Sequence, residues 1–166
     1  MDKYYYFVSQ LPLLTFDKET YLTRIDFLAE ASKWLSAKEL DNLSSVDLNN
    51  FKVKLEDSFL LKSYKEFEKG LRQSLVLIRR PQEARSGEQV EEEVKEATSL
   101  KSPLEVEKRL LYMRWKFLEG LSFGHYFDLE FLRAYYLKLQ MLERLFTFDK
   151  SKGTVVFDKL SEVNID

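Results

Sequence analysis

Leu129-Glu130-Phe131-Leu132-Arg133-Ala134-Tyr135-Tyr136-Leu137-Lys138-Leu139-Gln140-Met141-Leu142-Glu143-Arg144-Leu145-Phe146 is the stretch that decides the fold. At 100° per residue its apolar side chains cover well over half of a helix circumference, so a helix here has to pack on more than one side. The spacing predicts a helix over 129–148, capped by Asp128 and lying at the centre of the fold. Lys138 falls in the middle of its apolar face, which calls for an explanation.

Working back along the chain, Ser102-Pro103-Leu104-Glu105 reads as a helix start, with Ser as N-cap, Pro at the first helical position and Glu at the third. That helix is expected to reach Leu121, where Gly120 and Gly124 break it. Glu107 and Arg114, seven residues apart, interrupt its apolar face. A buried unpaired charge costs several kcal/mol. Glu107, Arg114 and Lys138 are therefore expected either to pair across the helix interface, with Lys138 to Glu107 as the leading pair, or to face a groove.

Further out, residues 56–80 predict an amphipathic helix with Leu60, Tyr64, Phe67, Leu71, Leu75 and Ile78 along one stripe. Ser63, Gly70 and Ser74 lie beside that stripe, small enough to admit a neighbouring helix, and Pro81 ends the run. Residues 82–101, with Glu91-Glu92-Glu93, are charged and nearly free of large apolar groups, so, helical or not, they are expected to be exposed or mobile. Thr23 stands three residues before Asp26 and Ser36 three before Glu39, the spacing of capping boxes, which places helices at 24–34 and 37–43. Tyr4-Tyr5-Tyr6-Phe7-Val8 reads as a short buried helix or an extended segment, and Val155 to Leu160 as a last short helix. The expectation is an all-α protein, an elongated helical bundle of antiparallel helices with a short N-terminal aromatic segment. Its divisions are an N-terminal helical half (1–80), a charged linker (81–101) and a C-terminal helical hairpin (102–166), co-folded as one domain.

Composition agrees with that class. The 166 residues contain only 5 Gly and 3 Pro, too few for the hairpin turns of a sandwich or barrel. No Cys and a single His remove disulfide frameworks, zinc fingers and thiol nucleophiles, so no metal and no cofactor is expected. Net charge −2 lacks the basic footprint of a nucleic-acid binder. The longest central aliphatic run, Leu75 to Ile78, falls far short of the roughly 18 apolar residues of a membrane span. With no secretory signal pattern at the N-terminus, a cytoplasmic protein is expected, any membrane role being peripheral at the inner face.

His125, in Phe123-Gly124-His125-Tyr126-Phe127-Asp128-Leu129-Glu130, would pair with Asp128 or Glu130 in an acid/base reading. No nucleophile, phosphate loop or second base has recognisable spacing, and Asp at a helix N-cap needs no catalytic reason. The favoured reading is a loop anchor, and the chain is not expected to be an enzyme by itself. Arg79-Arg80 and the acidic 88–96 stretch suit docking surfaces or, more simply, solvated helix ends.

Two stretches together carry a resemblance. Tyr4-Tyr5-Tyr6-Phe7-Val8-Ser9-Gln10-Leu11-Pro12 resembles the N-terminal "YYYLVAxLP" pattern of an uncharacterised bacterial protein family encoded among the subunits of V-type (V/A-type) rotary ATPases. Arg114-Trp115, Gly124-His125-Tyr126-Phe127-Asp128, Leu137-Lys138-Leu139-Gln140 and Leu142-Glu143-Arg144 are similar to its C-terminal signature, which Asp149, Lys152-Gly153 and Phe157 continue. Glu68 to Arg79 looks like its central helix, with Gln73 where the family often has Asn. The resemblance implies a non-catalytic subunit or assembly factor of such an ATPase, a partial counterpart of the helical C-type stalk component (the d subunit of eukaryotes) that joins the central stalk to the membrane rotor. Its partners would be other V-type ATPase subunits. Trp115, Gly124, His125, Tyr126, Phe127, Asp128, Lys138, Gln140, Glu143 and Arg144 are then motif residues, with Tyr4, Tyr5, Tyr6, Trp34 and Trp115 as candidate partner anchors. A free-standing helical adaptor or scaffold, unrelated to the ATPase, would have the same composition.

Overall fold

The computed structural model describes residues 3–80 and 92–147, and every regular element within them is a helix. In chain order these are α1 (Lys3–Gln10), α2 (Arg24–Ala31), α3 (Ala37–Ser44), α4 (Phe59–Arg79), α5 (Glu92–Thr98), α6 (Pro103–Leu121) and α7 (Leu129–Thr147). The fold class is all-α, as the sequence implies. The turn expected at 149–153, the last short helix at Val155 to Leu160 and the stop at Pro81 lie outside the described residues.

Local chemistry sets most of the helix starts. Thr23 accepts from the Asp26 amide, and Ser36 and Glu39 form a reciprocal capping box. Asp128 Oδ1 accepts from the Phe131 amide at 2.8 Å, satisfying one of the free donors at the head of α7. Ser102 occupies the N-cap of α6 but makes no side-chain cap bond, so there Pro103, which has no amide hydrogen to satisfy, carries the start. α2 ends at Ala31, short of the expected 34, because residues 32–34 turn off the helix to bring Leu35 into the core.

α7 is the central element, packing against α2, α3, α4 and α6. Its Leu132, Leu137, Leu139, Met141 and Leu142 are fully buried. Phe27 of α2 lies between Phe7 of α1 and the paired rings of Tyr135 and Tyr136, with centroid separations of 5.4 Å to each. α6 and α7 run antiparallel, since Glu107 early in α6 bonds Arg144 late in α7, while Trp115 lies under Lys138. α4 and α6 are antiparallel too, with Phe67 stacked on Phe117 at 4.1 Å and Glu68 bonded to Arg114.

A second, smaller core joins α4, α5 and α6 through Leu71, Val94, Ala97, Leu110 and Met113. It corrects the expectation that the whole charged 82–101 stretch is exposed. Val94 and Ala97, three residues apart, share one face of α5 and are buried despite the acidic residues around them. Gly70 is also unlike its expected role: it is exposed, and an added Cβ would meet nothing within 4 Å, so no helix uses it for close approach.

Candidate functional site

The residues of the C-terminal signature on α7 each tie another element to the central helix. Gln140 is buried and clamps the 46–48 loop from both sides, its Nε2 donating to the Val46 carbonyl at 2.9 Å and its Oε1 accepting from the Leu48 amide at 2.8 Å. Glu143 accepts from the Arg24 amide at 3.0 Å and forms an ion pair with the Arg24 guanidinium, holding the head of α2. Arg144 Nε donates to Glu107 at 2.7 Å. Gln140→Leu would leave the Val46 carbonyl and the Leu48 amide buried without partners. It is expected to cost about 1–3 kcal/mol, read as a lower urea midpoint.

The expected pairing of Lys138 with Glu107 is not what the structure holds. Glu107 is taken by Arg144, and Arg114 by Glu68. Lys138 makes no ion pair among the described residues; its ammonium sits 5.0 Å from the centroid of the Trp115 ring. Cation–π attraction replaces the counter-ion, and burial holds the ammonium pKa below its ordinary value despite the opposing field of Glu119. In the unfolded chain Lys138 binds its proton more tightly, so this site disfavours folding at neutral pH and the penalty fades as pH rises toward about 10.5. Lys138→Met is therefore expected to leave the thermal midpoint unchanged or raise it. The difference from the parent chain should shrink as pH rises toward about 10.5.

Trp115 is buried in the main core, with Phe16 edge-on at 5.7 Å and its indole N–H bonded to Glu119 at 2.9 Å. It is a core residue of this chain, with only 2% of its surface exposed. Trp34 is half-buried and stacks on Tyr6 at 6.0 Å.

The other motif residues lie together on the surface. α1 turns Phe7 into the core and Tyr4 toward Glu39, to which the Tyr4 hydroxyl donates at 2.5 Å. Burial, reinforced by the Glu39 carboxylate, pushes the Tyr4 phenol up to about 12. Tyr5 and Tyr6, on the opposite side of the helix, are exposed. The loop between α6 and α7 comes alongside them. Gly124 takes a φ of +87°, a left-handed conformation that a side chain would strain, and His125 Nδ1 lies 2.5 Å from Asp128 Oδ2. Asp128 thus caps α7 with one oxygen and fixes the His125 ring with the other. This leaves Tyr126 and Phe127 exposed beside α1, with the Phe127 ring 4.9 Å from the Tyr5 ring and tilted against it. Tyr6, Tyr5 and Phe127 thus make a run of exposed, touching rings, and Phe123 and Tyr126 of the same loop are exposed as well, Phe123 by 83%.

Of the two carboxylates considered for His125, Asp128 is the one it meets. Glu130, the other carboxylate considered for His125, is occupied by Arg133 and by the Ser58 hydroxyl at 2.7 Å. Among the described residues no group of three or more His, Asp or Glu is placed to hold a metal ion, and no helix is long and apolar enough to cross a membrane.

Residues 86–163 match a family model described as protein of unknown function (DUF2764). The matched region, just under half of the chain, takes in α5, α6, α7 and the His125 loop, while the tyrosines of α1 fall outside it. No curated protein and no solved structure matches the chain. The C-terminal part is thus similar to an uncharacterised protein family.

Sequence reasoning missed Glu68 and Lys65, two charged residues buried on α4. Glu68 accepts from Arg114 and Arg72, and Lys65 pairs with Asp57 at 2.7 Å. Arg72, four residues on, is a local partner for Glu68 but gives no sign of burial, because the Arg114 and Asp57 groups that hold Glu68 and Lys65 inside lie outside α4.

Proposed function

We propose that this chain is a non-catalytic subunit or assembly factor of a bacterial V-type rotary ATPase, working through protein–protein contacts. The observation that carries the reading is the meeting of its two signature stretches. The Tyr-rich α1 and the Gly124 to Asp128 loop, more than a hundred positions apart in sequence, share one aromatic surface through the Tyr5–Phe127 contact. Both stretches carry the resemblance to the family encoded with the ATPase. Exposed Tyr and Phe on a rigid helix and a pinned loop offer a large contact area at small conformational cost, the composition favoured at interface centres. A joining or assembly component requires a stiff helical body and no catalytic group, which supports the same reading.

Tagged full-length protein purified from detergent-solubilised membranes should bring the ATPase A, B and D subunits with it. Tyr5→Glu combined with Phe127→Glu should abolish that co-purification at unchanged thermal midpoint, since both side chains are about half exposed. A tagged chain that elutes alone, with ATPase assembly intact after deletion of its gene, sinks the proposal. Recovery of a different complex through the same aromatic residues would make the protein an adaptor unrelated to the ATPase.

A further inference from the structure

On another part of the molecule a groove of about 880 Å³ runs between α4 and α6, reaching Leu100 and Lys101 before α6 and Arg144 at the end of α7. Leu75, Val76, Val106 and Leu110 supply apolar lining, and Val76 and Leu100 remain exposed. Its charge runs against that of the whole chain. Five cations, Arg72, Arg79, Lys101, Arg114 and Arg144, line it against two carboxylates, Glu68 and Glu107, in a protein of net charge −2.

The pairing inside the groove leaves that excess uncancelled. Glu68 is shared: Arg114 bonds it through Nε at 2.7 Å and Nη2 at 3.0 Å, and Arg72 Nε donates to it at 2.6 Å. One carboxylate thus answers two guanidiniums. Glu107 answers Arg144 alone. Arg79 and Lys101, both exposed, make no ion pair among the described residues. Among the described residues, the surplus of three positive charges lies beside an apolar strip, in a cleft where field lines concentrate.

We infer that this groove is a docking site for an acidic amphipathic helix of a partner protein, with apolar side chains of the helix on the Leu75, Val76, Val106 and Leu110 strip and its carboxylates toward Arg79, Lys101 and the Glu68-bound guanidiniums. A compact anion would use the cations but not the strip, and a basic or neutral apolar helix would use the strip against the field. Only a segment carrying both features uses the whole surface. The site is separate from the aromatic surface of α1 and the His125 loop, and it does not depend on the rotary ATPase assignment.

The test uses the full chain and three fluorescent peptides of about 18 residues: Leu at three- and four-residue steps with Glu elsewhere, the same with Lys for Glu, and the acidic peptide with Ser for Leu. The Glu/Leu peptide should bind at least about tenfold more tightly than either control and weaken in high salt. Arg79→Glu with Lys101→Glu should reduce its affinity about tenfold or more, with unchanged circular dichroism because both side chains are exposed. Tyr5→Glu should leave it unaltered. Equal binding of the Lys/Leu peptide, equal binding of the Glu/Ser peptide, no binding of any peptide, or indifference to the charge reversal each overturns the inference. So would sedimentation showing that the charge-reversed variant loses a dimer formed by the parent chain, since the groove would then join two copies.

Discussion

Glu68→Leu should lower the stability of this protein by about 3–5 kcal/mol, a fall in thermal midpoint of about 6–20 °C. Glu68 is 1% exposed and accepts three hydrogen bonds, two from Arg114, itself only 11% exposed at the side chain. Burial works against the charge on Arg114, and the Glu68 carboxylate outweighs it, holding the guanidinium pKa above its ordinary value. Leucine fills the space but leaves that guanidinium inside the protein with no counter-charge. The double variant Glu68→Leu/Arg114→Met should recover most of the loss, because replacing both members of a buried pair is often close to neutral. A single-variant loss below about 1 kcal/mol, by urea or thermal unfolding, would contradict this account.

Phe27→Ala should cost a similar amount, about 3–5 kcal/mol. Phe27 has no exposed surface and touches three rings from two other helices, so truncation removes about 1.5–3 kcal/mol of burial and opens a cavity that stacked rings cannot readily close. Phe27→Leu keeps much of the volume and should cost less than half as much. If the two variants unfold at the same urea midpoint, the ring stack contributes nothing specific.

What could be read in advance was local. Thr23, Ser36 and Asp128 announce helix starts because a cap and its amide partner lie within three residues of each other. α7 declares its central place because its apolar positions go round the helix. The exposed tyrosines were half legible: Tyr4 and Phe7, three apart, share a helical face, so Tyr5 and Tyr6 fall on the other, but eight residues rich in aromatics suit strand and helix alike. What stayed hidden depends on distant partners. Lys138 looked as though it needed a carboxylate, and Trp115 answered it with a ring. Glu68 gave no sign of burial, for its neutralising Arg114 is 46 positions away. Val94 and Ala97 did have the spacing of a buried face, obscured by the acidic residues between and around them. The aromatic site was visible only as two separate motifs, because the Tyr5–Phe127 contact is made by tertiary packing.

The bonds between the first elements and α7 bear on how the chain is made. Tyr135 donates to the Pro12 carbonyl across 123 positions, and the Arg24 amide to Glu143 across 119. At about 5–20 residues per second, Phe7 and Phe27 leave the ribosome about 6–25 seconds before the helix that covers them. Through that interval Phe27 has Phe7 beside it but lacks the Tyr135 and Tyr136 rings, so completion of α7 is the event that closes this core around the nascent polypeptide.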